Sequence, residues 1–102
     1  MNQMQMMQQM RKMQTDMAKA QEDLAKTIVT GAAAGETVKI ELFCDYRVNS
    51  VKIAKEAIDP DDVETLEDLV VVAMNDALKK IGETSAQRMS AVTGGLHIPG
   101  LM

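Results

Sequence analysis

A repeat of apolar side chains near the amino terminus restricts the folds open to this chain more than any other feature of its sequence. Residues 1–14 contain six methionines and five glutamines but no glycine or proline, so nothing there interrupts a helix. The repeat predicts a helix over about residues 4–27 with the heptad spacing of a coiled coil. Its apolar positions alternate four and three residues apart at Met6, Met10, Met13, Met17, Ala20 and Leu24.

A helix of this length is too long to lie within a compact domain of 102 residues. It would extend roughly 40 Å at ~1.5 Å per residue, whereas the radius of gyration of such a domain is about 13 Å. The amino-terminal end would therefore project into solvent. We infer that its apolar stripe needs a second chain or a second long helix beside it.

Three short strands are predicted after this helix. A β-branched cluster predicts the first strand over residues 27–31, and the Ala-Ala-Ala-Gly that follows predicts a turn. Apolar and polar residues then alternate over about residues 36–43, which predicts a strand with one buried face. The third strand is predicted over about residues 46–54, with a β-bulge at Asn49 or Ser50 because the alternation slips by one residue there.

A second long helix is predicted over about residues 60–93. Asp59 supplies an acceptor for the N-cap, and Pro60 suits the first helical position. The adjacent Gly94 and Gly95 suit the end of a helix. This helix would be longer than the first, so a small sheet cannot cover the whole of it.

Together these elements predict a single α+β domain over residues 1–95, with both long helices protruding from a small three-stranded antiparallel sheet and a mobile tail at 96–102. Three strands bury little apolar surface, so two copies joined by twofold symmetry would complete the core. The residues predicted to pack in the core or the dimer are Met10, Met13, Met17, Leu24, Val38, Ile40, Leu42, Leu66, Leu69, Val70 and Ala73.

Composition narrows the functional classes. A formal net charge of -4 excludes a chain that coats nucleic acid by bulk positive charge. The chain has no run of 18 apolar residues, so we expect no contact with a membrane and a cytoplasmic location. The single cysteine, Cys44, can form neither an intrachain disulfide nor a thiolate zinc cluster.

No constellation of residues predicts an enzyme. Cys44 and His97 could form a catalytic dyad only if the carboxyl-terminal tail folded back onto the hairpin. The chain has no glycine-rich phosphate loop and no serine-centred nucleophile elbow. The amino-terminal methionines could bind Cu(I) through their thioethers, but methionines at helical spacing more often serve packing. We therefore expect no catalytic residue, no metal and no cofactor.

The basic side chains of the first helix point to a binding function. Lys12, Lys19 and Lys26 are spaced by seven residues, so they share one face away from the methionine stripe, and Arg11 lies beside the first of them. They would recur about every 10 Å, a workable spacing for phosphates along a duplex. Further basic candidates lie on the second helix at Lys79, Lys80 and Arg88.

The same lysines also fit an ordinary solvated helix face. Each lies four residues from a carboxylate, a spacing at which ion pairs contribute only tenths of a kcal/mol. The pairs predicted in this way are Lys12 with Asp16, Lys19 with Asp23, Glu22 with Lys26 and Asp76 with Lys80. Spacing alone therefore leaves both a phosphate-binding track and a solvated face open.

Three segments resemble the YbaB/EbfC family of bacterial nucleoid-associated DNA-binding proteins. They are the run DLVVVAMNDALKK at 68–80, TGGL at 93–96, and the opening Met- and Gln-rich helix that ends with KAQEDL at 19–24. The resemblance covers nearly the whole chain. It implies a homodimer with tweezer-like protruding helices that binds duplex DNA in the nucleoid, and it favours the phosphate-binding track.

We therefore predict a protein that binds double-stranded DNA as a homodimer, mainly through phosphate contacts, and that bends, bridges or compacts DNA or affects gene expression. The chain has no zinc-finger spacing, no arginine-dense region and no interleaved aromatic residues, so base readout is not expected. Binding would be weakly sequence-selective and strongly salt-dependent. The alternative is an adaptor whose methionine-rich helix recognises a partner protein.

Overall fold

Two long helices flank a three-stranded antiparallel sheet, which confirms the predicted α+β class. The computed structural model describes residues 2–93, so the expected glycine stop, the tail and His97 lie outside the described residues. The elements in chain order are α1 (Gln3–Lys26), β1 (Ile28–Ala33), β2 (Val38–Phe43), β3 (Val48–Ile53), a 3-10 turn (Lys55–Ala57) and α2 (Val63–Thr93).

The sheet has the order β1-β2-β3, and β2 pairs with both neighbours. The register between β2 and β3 shifts between the pairs Glu41–Ser50 and Leu42–Val48, which leaves Asn49 as the extra residue of a bulge. This confirms the slip that the sequence predicts there. Alternate residues of β2 point to one side of the sheet, where Val38, Ile40 and Leu42 are buried.

β1 continues to Ala33, two residues beyond the expected end of that strand. Ala32 and Ala33 pair with β2, and the turn lies instead at Ala34, Gly35 and Glu36, all of which have positive φ. The reason is tertiary packing, because small residues in β1 let α2 approach closely. A Cβ added to Gly31 would lie 2.7 Å from the Cβ of Ala77 and would clash with the α2 backbone.

α2 packs across β1 and β2 and closes the core on one side of the sheet. Its residues Ala73, Ala77 and Ile81 are completely buried, whereas Leu66, Leu69 and Val70 are half-buried around them. Spacing of three and four residues puts all six on one helical face. The buried residues that contact one another in this core are Leu24, Ala33, Val38, Ile40, Leu42, Cys44, Ala73, Ala77 and Ile81.

α2 begins at Val63, so the expected start at residue 60 with Asp59 as N-cap is wrong. Asp59 instead accepts a hydrogen bond from the backbone N–H of Asp61 at 3.0 Å, which closes a turn. Asp62 is the residue that caps the helix, since its carboxylate accepts from the N–H and the hydroxyl of Thr65 at 3.3 and 2.6 Å. Asp59 and Asp62 are thus two possible N-cap acceptors, and the helix uses Asp62.

α1 projects from the sheet and gives the molecule an elongated shape of 70 × 27 × 16 Å. Asn2 caps its amino terminus by accepting a hydrogen bond from the N–H of Gln5 at 2.8 Å. Near the other end Ala20 and Leu24 are buried, and Arg88 of α2 lies 3.6 Å from Asp23. The second half of α2 therefore lies beside the last part of the apolar stripe of α1. Among the described residues of one chain, the rest of that stripe has no second helix beside it.

The backbone edge of β1 is covered by side chains of α2. Asp76 accepts a hydrogen bond from the N–H of Ala32 at 3.0 Å and lies 3.2 Å from the Lys80 ammonium. Lys80 in turn donates to the carbonyl of Thr30 at 2.7 Å. The hydrogen bond from Ala32, followed by that from Lys80, lowers the pKa of Asp76. The predicted Asp76–Lys80 pair is thus present and holds the helix to the strand.

We expect this carboxylate to make stability depend on pH. Because the pKa of Asp76 is lower in the folded state than the ordinary value of 3.8, its contribution is present above that value and is lost as pH falls through the lowered pKa. Asp76→Asn, which resembles the protonated acid, should therefore unfold at lower urea concentration than the parent at pH 7 and at nearly the same concentration near pH 2.

The matched control is Asp68→Asn, which removes the same charge from an exposed position of α2. Urea titrations followed by circular dichroism at both pH values provide the measurement. A deficit for Asp76→Asn that stays constant between pH 7 and pH 2 would show that the carboxylate charge is not responsible.

Candidate nucleic-acid interface

The four basic residues of α1 that the sequence singles out are all exposed. Arg11, Lys12, Lys19 and Lys26 lie on the solvent side of the helix, and α1 is unbroken from Gln3 to Lys26. Three of them therefore recur at about 10 Å along one face. The residues form a track of positive charge on the part of the molecule that projects furthest.

The ion pairs expected within α1 are not formed. Over residues 2–93, neither Lys12, Lys19 nor Lys26 has a carboxylate within 4.0 Å. Asp23, the expected partner of Lys19, instead contacts Arg88 of α2. The lysines of α1 thus keep their charge available for an external anion, which favours the phosphate-binding interpretation over a helix face neutralised by its own carboxylates.

The basic residues of α2 occupy three different environments. Lys80 is held by Asp76 and the carbonyl of Thr30, as described above, and Arg88 contacts Asp23. Lys79 is exposed and, over the described part of the chain, makes no ion pair. Two of these three candidates therefore already have internal partners, and of the three only Arg88 forms an ion pair with a residue of α1 in the described part of the chain.

Arg47 is a functional candidate that the sequence interpretation missed. Its guanidinium donates to the backbone carbonyl of Ala25 at 2.6 Å and to the carboxylate of Asp45 at 2.7 Å, and it stacks 4.4 Å from the ring centre of Phe43. These contacts tie the end of α1 to the β2–β3 hairpin, so Arg47 helps to fix the direction in which α1 projects. The only signal in the sequence is an aromatic and a basic residue four positions apart across a turn.

The methionine stripe of α1 is exposed over most of its length. Met4, Met6, Met7 and Met10 are all at least half exposed, and Met17 is also exposed. Met13 is half-buried, and within α1 only Ala20 and Leu24 are buried. Within one chain, Met10 and Met17 therefore do not join the core, and their predicted role in a dimer stays a prediction.

Charge is unevenly distributed along the molecule. The start of α2 and the segment before it line a cleft with Ala34 and Thr37, at the end of β1 that is opposite to α1. This end carries Glu56, Asp59, Asp61, Asp62, Glu64, Glu67 and Asp68. The basic track and the acidic end are thus at opposite ends of an elongated chain.

Residues 2–93 give little support for a metal site, a reactive thiol or a membrane-spanning helix. No group of three or more histidine, cysteine or acidic side chains is placed to hold a metal ion there. Burial raises the pKa of the Cys44 thiol, which disfavours the nucleophilic thiolate. Within the same range, neither helix is apolar enough over sufficient length to cross a bilayer.

Comparisons with known proteins agree on one family. The model of the YbaB/EbfC DNA-binding family matches residues 1–96. A nucleoid-associated protein of Chloroflexus aurantiacus is 47% identical over 96 residues, which span 94% of this chain and 96% of that protein. Another, from Roseiflexus sp., is 45% identical over 100 residues, spanning 98% and 99% of the two chains.

The fold also matches a solved structure. An uncharacterized protein of Helicobacter pylori superposes with a TM-score of 0.73 over 95% of this chain and 99% of that one, at 20% sequence identity. This likeness supports the arrangement of helices and sheet and carries no functional information.

Proposed function

The chain belongs to the YbaB/EbfC DNA-binding family, and on that premise we propose that it binds duplex DNA as a homodimer through phosphate contacts made by α1. Arg11, Lys12, Lys19 and Lys26 are the proposed ligands of the phosphates. Lys79 is a further candidate on α2, and Lys80 and Arg88 are weaker because each has an internal partner. No catalytic step and no cofactor enter this function.

The proposal rests on one observation: within residues 2–93, the lysines of α1 form no ion pairs with carboxylates. Basic side chains on helix surfaces are commonly neutralised by acids one turn away, and this chain has such acids at the required spacing. Within residues 2–93, however, those pairs are not formed, and the lysines extend along about 20 Å of an exposed, continuous helix. A duplex carries one phosphate for about every 3.4 Å of axis on each strand, so lysines spaced by about 10 Å can each reach a different phosphate and several contacts can form at once.

In a dimer, the basic residues of the two α1 helices would act together on the shape of DNA. Two copies would carry two projecting tracks, which can contact two stretches of one duplex or two separate duplexes. The first arrangement would bend DNA, and the second would bridge or compact it. We accordingly propose that the protein acts in the bacterial nucleoid, in the cytoplasm, and affects gene expression through DNA shape.

The dependence of binding on salt tests this proposal. Because phosphate contacts release counterions, log K should fall linearly with log salt concentration, with a slope of roughly -0.9 for each phosphate neutralised. Four contacts per chain predict a slope of about -3.6 for each protomer engaged. The measurement is fluorescence anisotropy of a labelled duplex of about 30 base pairs, titrated with protein at several salt concentrations.

A second duplex of unrelated sequence and equal length is the control. Similar affinities for the two duplexes are expected, since phosphate contacts carry no sequence information. A slope near zero, or no binding at low salt, would contradict the proposal.

The exposed methionines favour one second candidate function, a protein-interaction adaptor. Met4, Met6, Met7 and Met10 form a flexible apolar surface on the free end of α1, which suits an amphipathic helix of a partner protein. This candidate predicts no binding to either duplex in the titration above. It also predicts that replacing the four methionines with glutamine abolishes partner binding while the helix content stays unchanged.

A further inference from the structure

Met4 and Met7 of α1 lie outside the heptad repeat. That repeat runs through Met6 and Met10 along one face of the helix, and its last two members are buried in the chain. Successive helical residues are turned by about 100°, which places Met4 and Met7 on average about 130° away from that face. They are 71% and 53% exposed. Packing of the heptad repeat therefore does not account for these two side chains.

The two methionines share a line along α1 with a basic residue. Residues three, four or seven positions apart lie above one another on a helix, so Met4, Met7 and Arg11 follow one line. This line is about a quarter turn away from the line of Lys12, Lys19 and Lys26. All three side chains are exposed. We call Met4, Met7 and Arg11 the Met4–Arg11 face.

The side chains around this face complement the charge of a polyanion. No acidic residue precedes Asp16, and the charged side chains before it are those of Arg11 and Lys12. The other polar residues of the segment 2–9 all carry amides: Asn2, Gln3, Gln5, Gln8 and Gln9. Proteins contact the minor groove of DNA with arginine, lysine and amide side chains, and they often insert apolar ones, methionine among them, between base steps. Charge and continuity with the basic track thus both favour DNA as the occupant of this face.

A helix fits the minor groove only if the groove is opened. An α-helix with its side chains is about 10 Å across, whereas the minor groove of B-form DNA is about 6 Å wide. Opening the groove kinks the duplex and unstacks a base step, which leaves an apolar gap. Methionine suits such a gap because its side chain is unbranched and adapts to irregular spaces. Apolar surface that is exposed to water in the free protein would become buried there.

We propose that Met4 and Met7 insert as wedges at a base step of an opened minor groove and kink the duplex that the basic track of α1 holds. The inference rests on the DNA binding of the proposed function and adds the residues that deform the DNA. Arg11, next on the same line, contacts phosphate beside the opened step. Unstacking offsets much of the gain from burying the methionines, so the wedge changes the shape of the DNA more than the affinity for it.

The fluorescence of 2-aminopurine in duplex DNA tests this inference, because the base is quenched while stacked and brightens when its step opens. The probes are duplexes of about 30 base pairs, each with the analogue beside a different pyrimidine–purine step, since these steps kink most easily. Saturating full-length protein should raise the fluorescence at least about twofold in one or more duplexes. Energy transfer between dyes on the two ends should report a bend of roughly 20–90°.

The combined variant Met4→Gln and Met7→Gln removes the wedge without changing the charge of the helix. Glutamine and methionine have similar helix propensities and both positions are exposed, so circular dichroism should show an unchanged fold. Both DNA signals should be lost at saturation. The affinity should fall by less than about tenfold and the salt slope should stay the same, because no phosphate contact is removed.

Two further variants isolate apolar insertion at this face. Met4→Leu and Met7→Leu combined keep apolar side chains of similar size, so both DNA signals should persist. Met6→Gln and Met10→Gln combined make the same chemical exchange on the face of the heptad repeat. This variant should also retain both signals.

A parent protein that binds these duplexes without opening a step would overturn the inference and leave the proposed function in place, because anisotropy measures binding separately. Signals that persist in the variant with glutamine at positions 4 and 7 would also overturn it and would leave the face to a partner protein. Loss of the signals in the variant with glutamine at positions 6 and 10 would do the same, since the effect would not belong to the Met4–Arg11 face. No binding at low salt would contradict the proposed function, and this inference would fall with it.

Discussion

Replacing Lys12, Lys19 and Lys26 together with glutamate is expected to weaken binding to duplex DNA by at least about 100-fold. The three lysines would no longer neutralise phosphates, and three carboxylates would repel them from the same positions. Three fewer counterions would be released per chain, so the salt slope should also become less steep by roughly 2.7 for each protomer engaged. Anisotropy of a labelled duplex at several salt concentrations gives both quantities.

The control for this variant carries the same change in charge elsewhere on the chain. Lys39, Lys52 and Lys55 lie on or just after the sheet, and exchanging them for glutamate also lowers the net charge by six from the parent value of -4. If position decides binding, this control should keep most of its affinity. Equal losses in the two variants would mean that net charge alone governs binding, and the α1 track would have no special role.

The second large effect concerns the contact between β1 and α2. Gly31→Ala should lower the free energy of unfolding by roughly 3 kcal/mol, because backbone, which cannot rotate away, blocks the added methyl group. The new Cβ would lie 2.5 Å from the backbone nitrogen of Ala77 and would clash with the carbonyl oxygen of Ala73. Either the helix or the strand must move, and the buried contacts of Ile40 would loosen with it.

Gly82→Ala is the matched control for this substitution. Gly82 lies in the interior of α2 with nothing within 4 Å of the added Cβ, so alanine should raise stability by about 1 kcal/mol through helix propensity. We therefore expect the urea midpoints of the two variants to shift in opposite directions, although both exchange glycine for alanine. A Gly31→Ala protein as stable as the parent would show that the helix and the strand can separate at little cost.

Regular patterns in the sequence predict the elements of this fold well. The alternation from Val38 to Leu42 predicts a strand with one buried face, and the slip in the alternation of the third strand predicts a bulge at Asn49 or Ser50, because both follow from a period of two. The start of α2 is less predictable, since Asp59 and Asp62 are both suitable caps. Which one is used depends on a turn that local spacing does not specify.

The state of individual charges was beyond prediction from spacing. Of the four pairs predicted from a four-residue separation, all within the described residues, only Asp76 and Lys80 form an ion pair. This pair lies against β1, whose backbone groups form hydrogen bonds with both side chains. Asp23, by contrast, contacts Arg88 of the other helix. Contacts between residues far apart in the sequence therefore determine which ion pairs form. The same holds for Arg47, which donates to a carbonyl 22 positions earlier.

The opposite placement of the basic track and the acidic end gives each chain an electric dipole along its 70 Å axis. Near a polyanion, such a dipole turns the projecting helix toward the duplex and the acidic end away before any contact forms. Encounters in the wrong orientation are repelled, so a protein with negative net charge can still associate quickly. Added salt would then slow association more than it would hasten dissociation.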